Sequence, residues 1–370
     1  MIFFVVQQYH EYTIGNFLEA WARPLAERVG ILNWADLAQS GRLHRGTYVL
    51  CDFERLSRPQ WDLARLVGTT LTAANCRVLN HPDRVLDRAA LLRRLHAEGI
   101  NQFQAYRVGV DDPSAVRFPC FVRRTSAHMG NVSPLLHDRT ALRSEIARQQ
   151  ACGHDDLLII EFLDTVSRDP SDHGGGLYRK YGLLRVGDAM TARHQYTAQK
   201  WVVGSADVVE DWAVQEEARY IADNPHADPL GRVFDLAGID YGRVDYAMLE
   251  GRPQVWEINT NPMLLASPHR IAPARLPAQA RGAEATARAI AAVDDGVEFD
   301  PSRSASWIPL ELPASLRQKL GGHRADGALR AFGKLMGQIG RAPGVRQVLQ
   351  VCQRAQRLAN DDFGRFKRAA

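Results

Sequence analysis

Arg243, Asp245, Glu257 and Asn259 are the residues of this sequence whose types and spacing best suit chemistry. They lie in two strand-like runs, 243–249 and 254–259, joined by Glu250-Gly251-Arg252-Pro253, a connection suited to an antiparallel hairpin with glycine at the turn. A register centred on Gly251 sets Asp245 opposite Glu257 and Arg243 opposite Asn259. Side chains alternate along a strand with period two, so all four polar groups then share one face. The other face carries Val244, Tyr246, Met248, Trp256 and Ile258. Carboxylates placed opposite each other repel unless something compensates. Two carboxylates and a carboxamide oxygen are hard ligands of the kind Mg²⁺ takes, and the absence of imidazole and thiolate argues against zinc or iron. The competing reading pairs Asp245 with Arg243 and leaves Glu257 exposed at a sheet edge.

Positioning such a hairpin requires a larger α+β body. Strand-like runs at Phe3–Val6, Tyr48–Cys51 and Cys76–Leu79 alternate with helical stretches at Phe17–Val29 and Gln60–Val67, the pattern of a small α/β unit with a parallel sheet over residues 1–80. Asn80-His81-Pro82 signals a turn. Residues 83–98 then carry Val85, Leu86, Ala89, Leu92 and Leu95 at helical spacing, ended by Gly99. Further strands are expected at Ala105–Val110, Pro119–Arg124, Leu157–Leu163 and Tyr178–Val186, with helices at Arg139–Ala151, Asp211–Asn224 and Ala283–Val293. This divides the chain into 1–80, 81–295 (as 81–163 and 164–295) and a linker with a basic helical tail over 296–370.

Gly242-Arg243-Val244-Asp245 followed by Glu257-Ile258-Asn259-Thr260-Asn261-Pro262 resembles the carboxyl-terminal metal motif of the ATP-grasp superfamily, as in D-alanine–D-alanine ligases and related carboxylate–amine ligases. The resemblance extends, less specifically, over about residues 80–265. It implies nucleotide held between two α+β subdomains, with Asp245, Glu257 and Asn259 holding two Mg²⁺ ions on ATP and Arg243 steadying the transferring phosphoryl group. It further implies that Arg88 and Arg123 stand where the better-known ligases place nucleotide lysines, a planar fork replacing a compact ammonium. Glu161-Phe162-Leu163 resembles the hinge that reads adenine and approaches the ribose, and Lys180 falls in the next family-like strand. His128 lies in the loop 125–130, which resembles the mobile phosphate-covering loop and is poorer in glycine. The implied activity is an ADP-producing ligase that joins a small-molecule carboxylate to an amine. A small-molecule kinase, or a nucleotide-binding protein without turnover, is the alternative.

Bulk properties set limits on the rest. The chain has 370 residues, 45% hydrophobic and 24% charged, with no run of the ~18 to 20 apolar residues that a membrane span requires. The apolar opening Met1–Val6 lacks a basic lead and suits a buried strand better than a signal peptide. Five cysteines with no C-x-x-C pair argue against a disulfide framework or a zinc cluster and fit a reducing cytoplasm. The net charge is +4; residues 296–370 hold 13 Lys/Arg against 6 Asp/Glu, so only the tail is basic and no nucleic-acid partner is expected. A homo-oligomer is compatible with this composition. P-loop, G-x-G-x-x-G, H-E-x-x-H and G-x-S-x-G motifs are absent, and Gly174-Gly175-Gly176 reads as a flexible connection.

Overall fold

The computed structural model describes residues 1–125, 130–297 and 300–321. Of the expected basic helical tail, which follows Pro313, residues 322–370 lie outside the described residues, as do the loop residues 126–129. In chain order the elements are β1 (Ile2–Val6), α1 (Tyr12–Ala20), β2 (Val29–Asn33), α2 (Trp34–Ser40), β3 (Arg42–His44), β4 (Thr47–Leu50), α3 (Arg58–Ala73), β5 (Val78–Leu79) and α4 (Arg88–Ala97). They continue as β6 (Ala105–Arg107), β7 (Cys120–Arg124), α5 (Arg139–Ala151), β8 (Leu157–Glu161), β9 (Tyr178–Val186) and β10 (Ala189–Ala198). The last are α6 (Asp211–Asp223), α7 (Ala227–Ala237), β11 (Tyr241–Leu249), β12 (Arg252–Asn259), α8 (Leu276–Ala292), β13 (Trp307–Pro309) and α9 (Ala314–Gly321).

This is an α+β fold built on three main sheets. The first is parallel, in the order β2-β1-β4-β5, as the alternation at the start of the chain predicts. β1 is buried at every position, as an inner parallel strand covered on both faces must be. The sequence predicts a helix over Phe17–Val29. The chain instead ends α1 at Ala20, makes a short 3-10 turn over Arg23–Arg28 with Pro24 near its start, and enters β2 at Val29. Proline is tolerated in a first helical turn but not in a helix interior, which divides the stretch. The expected helix over 83–98 begins only at Arg88, because the Asp87 side chain accepts from Ala90 N and caps it there.

The second sheet, β6-β8-β7, and the third, β10-β9-β11-β12, are antiparallel. Helix α7, which the sequence reading did not single out, buries Leu230, Val233, Phe234 and Ala237 in a core shared with Leu183, Val244 and Ile258 of the third sheet. That core runs on into Phe3, Trp34, Tyr48 and Leu50, so the parallel unit and the third sheet are packed as one body. Part of the expected linker is also structured: β13 pairs with β3 as an antiparallel ribbon, and Ile308, Leu310 and Leu316 are buried in the same core.

Candidate active site

The hairpin forms in the expected register where it matters. Arg243 pairs with Asn259, and Asp245 with Glu257. Nearer the turn the pairing shifts by one residue, because Trp256 is extra between Val255 and Glu257. The turn is therefore the two residues Glu250-Gly251, with φ of 50° and 74°, the left-handed pair of a tight hairpin. Arg252 and Pro253 belong to β12, an edge strand, where a residue without an N–H is tolerated. The bulge corrects one expectation. Val255, fully buried, takes the core position, while Trp256 turns toward Phe103, ring centroids 6.3 Å apart, and lines a cavity beside Glu257.

Each acid of the row carries its own pair of cations. Arg88 donates to Glu257 Oε2 at 2.6 Å and Arg123 to the same oxygen at 2.8 Å. Arg243 Nε donates to Asp245 Oδ1 at 2.8 Å, and Lys180 Nζ approaches Asp245 Oδ2 at 3.4 Å. Asn259 Nδ2 lies 3.5 Å from Glu257 Oε1. The Arg243–Asp245 pair of the competing reading is thus present, but Glu257 is not an exposed edge residue: its side chain is 17% exposed and is gripped by two guanidinium groups. Arg88 is held from behind, its Nη1 donating to the carbonyls of Arg124 and Thr125. Burial lowers the Arg88 pKa, and Glu257 only partly offsets that. At Arg243 burial also opposes the charge, but Asp245 outweighs it and the pKa is raised.

A cavity of about 280 Å³ opens onto this row. Its polar wall includes Arg123, Lys180, Arg179, Asp245 and Glu257; its apolar wall includes Phe121, Phe162, Leu163, Trp201 and Trp256. Phe162 and Leu163 leave the end of β8 here, and Trp201 packs on both Phe121 and Phe162. Glu161, one residue earlier, points elsewhere. Its buried carboxylate accepts from Arg117 Nη2 at 2.6 Å, Arg117 Nε and N, Gln104 N and Tyr106 Oη, and is absent from the cavity lining. Burial raises its pKa, but the Arg117 guanidinium and the backbone donors prevail and hold it below the usual carboxylate range. His128 lies outside the described residues. A second cavity, of about 590 Å³, is lined by Arg88, Ile258 and Thr260 and by none of the three acceptor residues of the row.

Asp245, Glu257 and Asn259 supply oxygen donors from neighbouring positions, a set that fits a hard divalent cation. Sequence reasoning missed Arg179, the aromatic wall apart from Phe162, and the Arg117 anchor of Glu161. Trp256 carried a signal only in retrospect, because a bulge is not legible from alternation.

Fold and site together describe an α+β chain with a carboxylate row compatible with a metal, beside a half-apolar cavity rimmed by cations. No family model matches the chain, and no curated protein matches it. Among solved structures it is similar to the D-alanine–D-alanine ligase of Bacillus anthracis complexed with ATP, at 15% identity over 79% of this chain and 96% of that one, TM-score 0.45. It is also similar to a RimK-domain ATP-grasp protein from Sphaerobacter thermophilus, at 13% identity over 77% and 98%, TM-score 0.43. A third is D-cycloserine synthetase, at 17% identity over 78% and 98%, TM-score 0.41.

Proposed function

We propose that this chain is an ATP-dependent, magnesium-requiring ligase of ATP-grasp type, which activates a small-molecule carboxylate as an acyl phosphate and joins it to an amine, releasing ADP and phosphate. The observation that carries the reading is the opposition of Asp245 and Glu257 across β11 and β12, with Asn259 alongside and four cations paired to the two acids. Asp245, Glu257 and Asn259 would hold magnesium, which would supply charge neutralisation at the phosphates and polarise the transferring group. Arg123 and Lys180, both lining the cavity, pass from the carboxylates to the phosphates, and Arg88 steadies Glu257 and the start of the loop that follows β7. Arg243 stabilises the charge on the phosphoryl group in flight, where a preorganised cation lowers the barrier most. Phe162, Leu163, Trp201 and Trp256 give the base an apolar, aromatic seat. Glu161 acts indirectly, holding the end of β8 through Arg117. Residues 81–163 and 164–295 are the two lobes that enclose the nucleotide.

The test is product analysis with panels of carboxylic acids and amines. ADP and phosphate formed only when both are present support the reading. AMP and pyrophosphate exclude the acyl-phosphate route, and a stable phosphorylated product formed without amine identifies a kinase.

A further inference from the structure

The row that holds the two acids does not stop at β11. Asp245 pairs with Gly182 of β9, and Gly182 pairs with His194 of β10, so one line across the sheet reads Glu257, Asp245, Gly182, His194. Gly182 leaves a gap in that line, and His194 fills it. A Cβ on Gly182 would stand 2.3 Å from His194 Cε1 and 2.7 Å from Nε2, so the imidazole lies over the glycine that pairs with Asp245. Behind the ring, Tyr196 stacks at 4.1 Å and 13°. A bulge at Arg193 sets the register that puts His194 opposite Gly182, a device common beside functional sites. His194 is 6% exposed, and its Nε2 is sealed from solvent without a hydrogen-bond partner, an uncommon and costly state for a buried ring nitrogen.

Burial first, then the charges of Arg243, Lys180, Arg193 and Arg275, push the His194 pKa well below its ordinary value, so the ring is neutral and keeps a lone pair. The cations that act on it most strongly, Arg243 and Lys180, are the two that hold Asp245. They reach that carboxylate from the same face, two strand positions to either side of the row. With Asp245 turned to a metal, Arg243 would give up its bonds to that carboxylate, 2.8 Å from Nε and 3.4 Å from Nη2, and would keep a 3.4 Å contact to the Met263 carbonyl.

We infer that His194 is a positioning residue of the transfer site: its unpartnered ring nitrogen accepts one hydrogen bond, from the Arg243 guanidinium, as Asp245 is given over to the metal, and so keeps that cation aimed at the γ-phosphoryl group. This rests on the reading of Asp245 as a metal ligand given under Proposed function. It assigns a role to a residue outside the metal motif and accounts for the missing Cβ at position 182.

The test compares the binding of a non-hydrolysable ATP analogue and of ADP, each with magnesium, by calorimetry, with thermal unfolding followed in parallel. His194→Ala is expected to weaken the analogue ~10-fold, the value of one hydrogen bond to a charged group, and to leave ADP affinity within about twofold. His194→Gln restores most of the loss. Gly182→Ala, which keeps the imidazole but pushes it off the row, reproduces the alanine result. Equal weakening of both nucleotides, or no change in either, overturns the proposal while the nucleotide site stands. Failure of the unaltered protein to bind either nucleotide with magnesium overturns the functional reading and this inference with it.

Discussion

Glu257 is the residue on which most interactions of the site converge, and its replacement separates charge from shape. Glu257→Gln keeps an acceptor near Arg88 and Arg123 but leaves two buried guanidinium groups without their shared carboxylate, at a cost of about 2 kcal/mol. The expected outcome is a lower urea midpoint together with loss of magnesium-dependent nucleotide binding; unchanged calorimetry would remove Glu257 from the metal set. Glu161 gives the opposite pattern. Its folded-state pKa is depressed, so its bonds contribute stability in full above the unfolded glutamate value, and that contribution is lost as pH falls through the lowered folded value. Glu161→Gln should therefore narrow its stability deficit against the unaltered protein only in acid, with nucleotide affinity little changed near neutrality. A deficit independent of pH in urea titrations would contradict the assigned role.

At the scale of elements, the β11–β12 hairpin combines an ordinary turn with one irregularity. Gly251 has φ of 74° with open space around it, so Gly251→Val meets no clash but forces a β-branched residue into the left-handed region, at about 1 to 2 kcal/mol. Thermal unfolding should register this without altering the acid pairing, six residues away along either strand. The bulge residue behaves differently. Trp256→Ala removes part of the aromatic wall of the cavity and the contact with Phe103, so the expected loss is in affinity for the nucleotide base, ~10-fold by calorimetry, with magnesium dependence intact. Equal binding by both proteins would show that the base sits elsewhere.

At the scale of the molecule, one buried side chain joins the parallel unit to the third sheet. Asn80, fully buried with φ of 60°, donates to the carbonyls of Leu50 and Tyr241 and accepts from the N–H groups of Asp240 and Tyr241. It ties the end of β4 to the start of the strand that carries Arg243 and Asp245. Asn80→Ala strands several backbone groups at once and is expected to cost about 3 kcal/mol, read as a fall in the urea midpoint; a change under ~0.5 kcal/mol would show that Asn80 does not hold the two units together. A second tie lies beyond β12. Asn261 donates to Asp52 and accepts from Thr13, while Thr260 donates to Glu54, so the parallel unit anchors the segment leaving Asn259. Among the described residues no helix is long and apolar enough to cross a membrane.

Local sequence was enough for whatever depends on period and short-range chemistry. The two-residue repeat determined that Arg243 shares a face with Asp245 and Glu257 with Asn259, and the alternating start of the chain determined a parallel unit; that the two pairs face the same way depends on the bulge at Trp256, which alternation does not encode. Proline and capping positions moved boundaries such as Ala20 and Arg88 without changing the plan. What the tertiary structure alone decided is who neutralises the acids. Arg88 and Arg123 come to Glu257 from 169 and 134 positions away, and Glu161 is claimed by Arg117 rather than by the cavity. The pairing of β10 with β9, which brings His194 over Gly182, likewise depends on register across strands. Such partners are chosen by packing of distant segments in three dimensions, and no local periodicity encodes them.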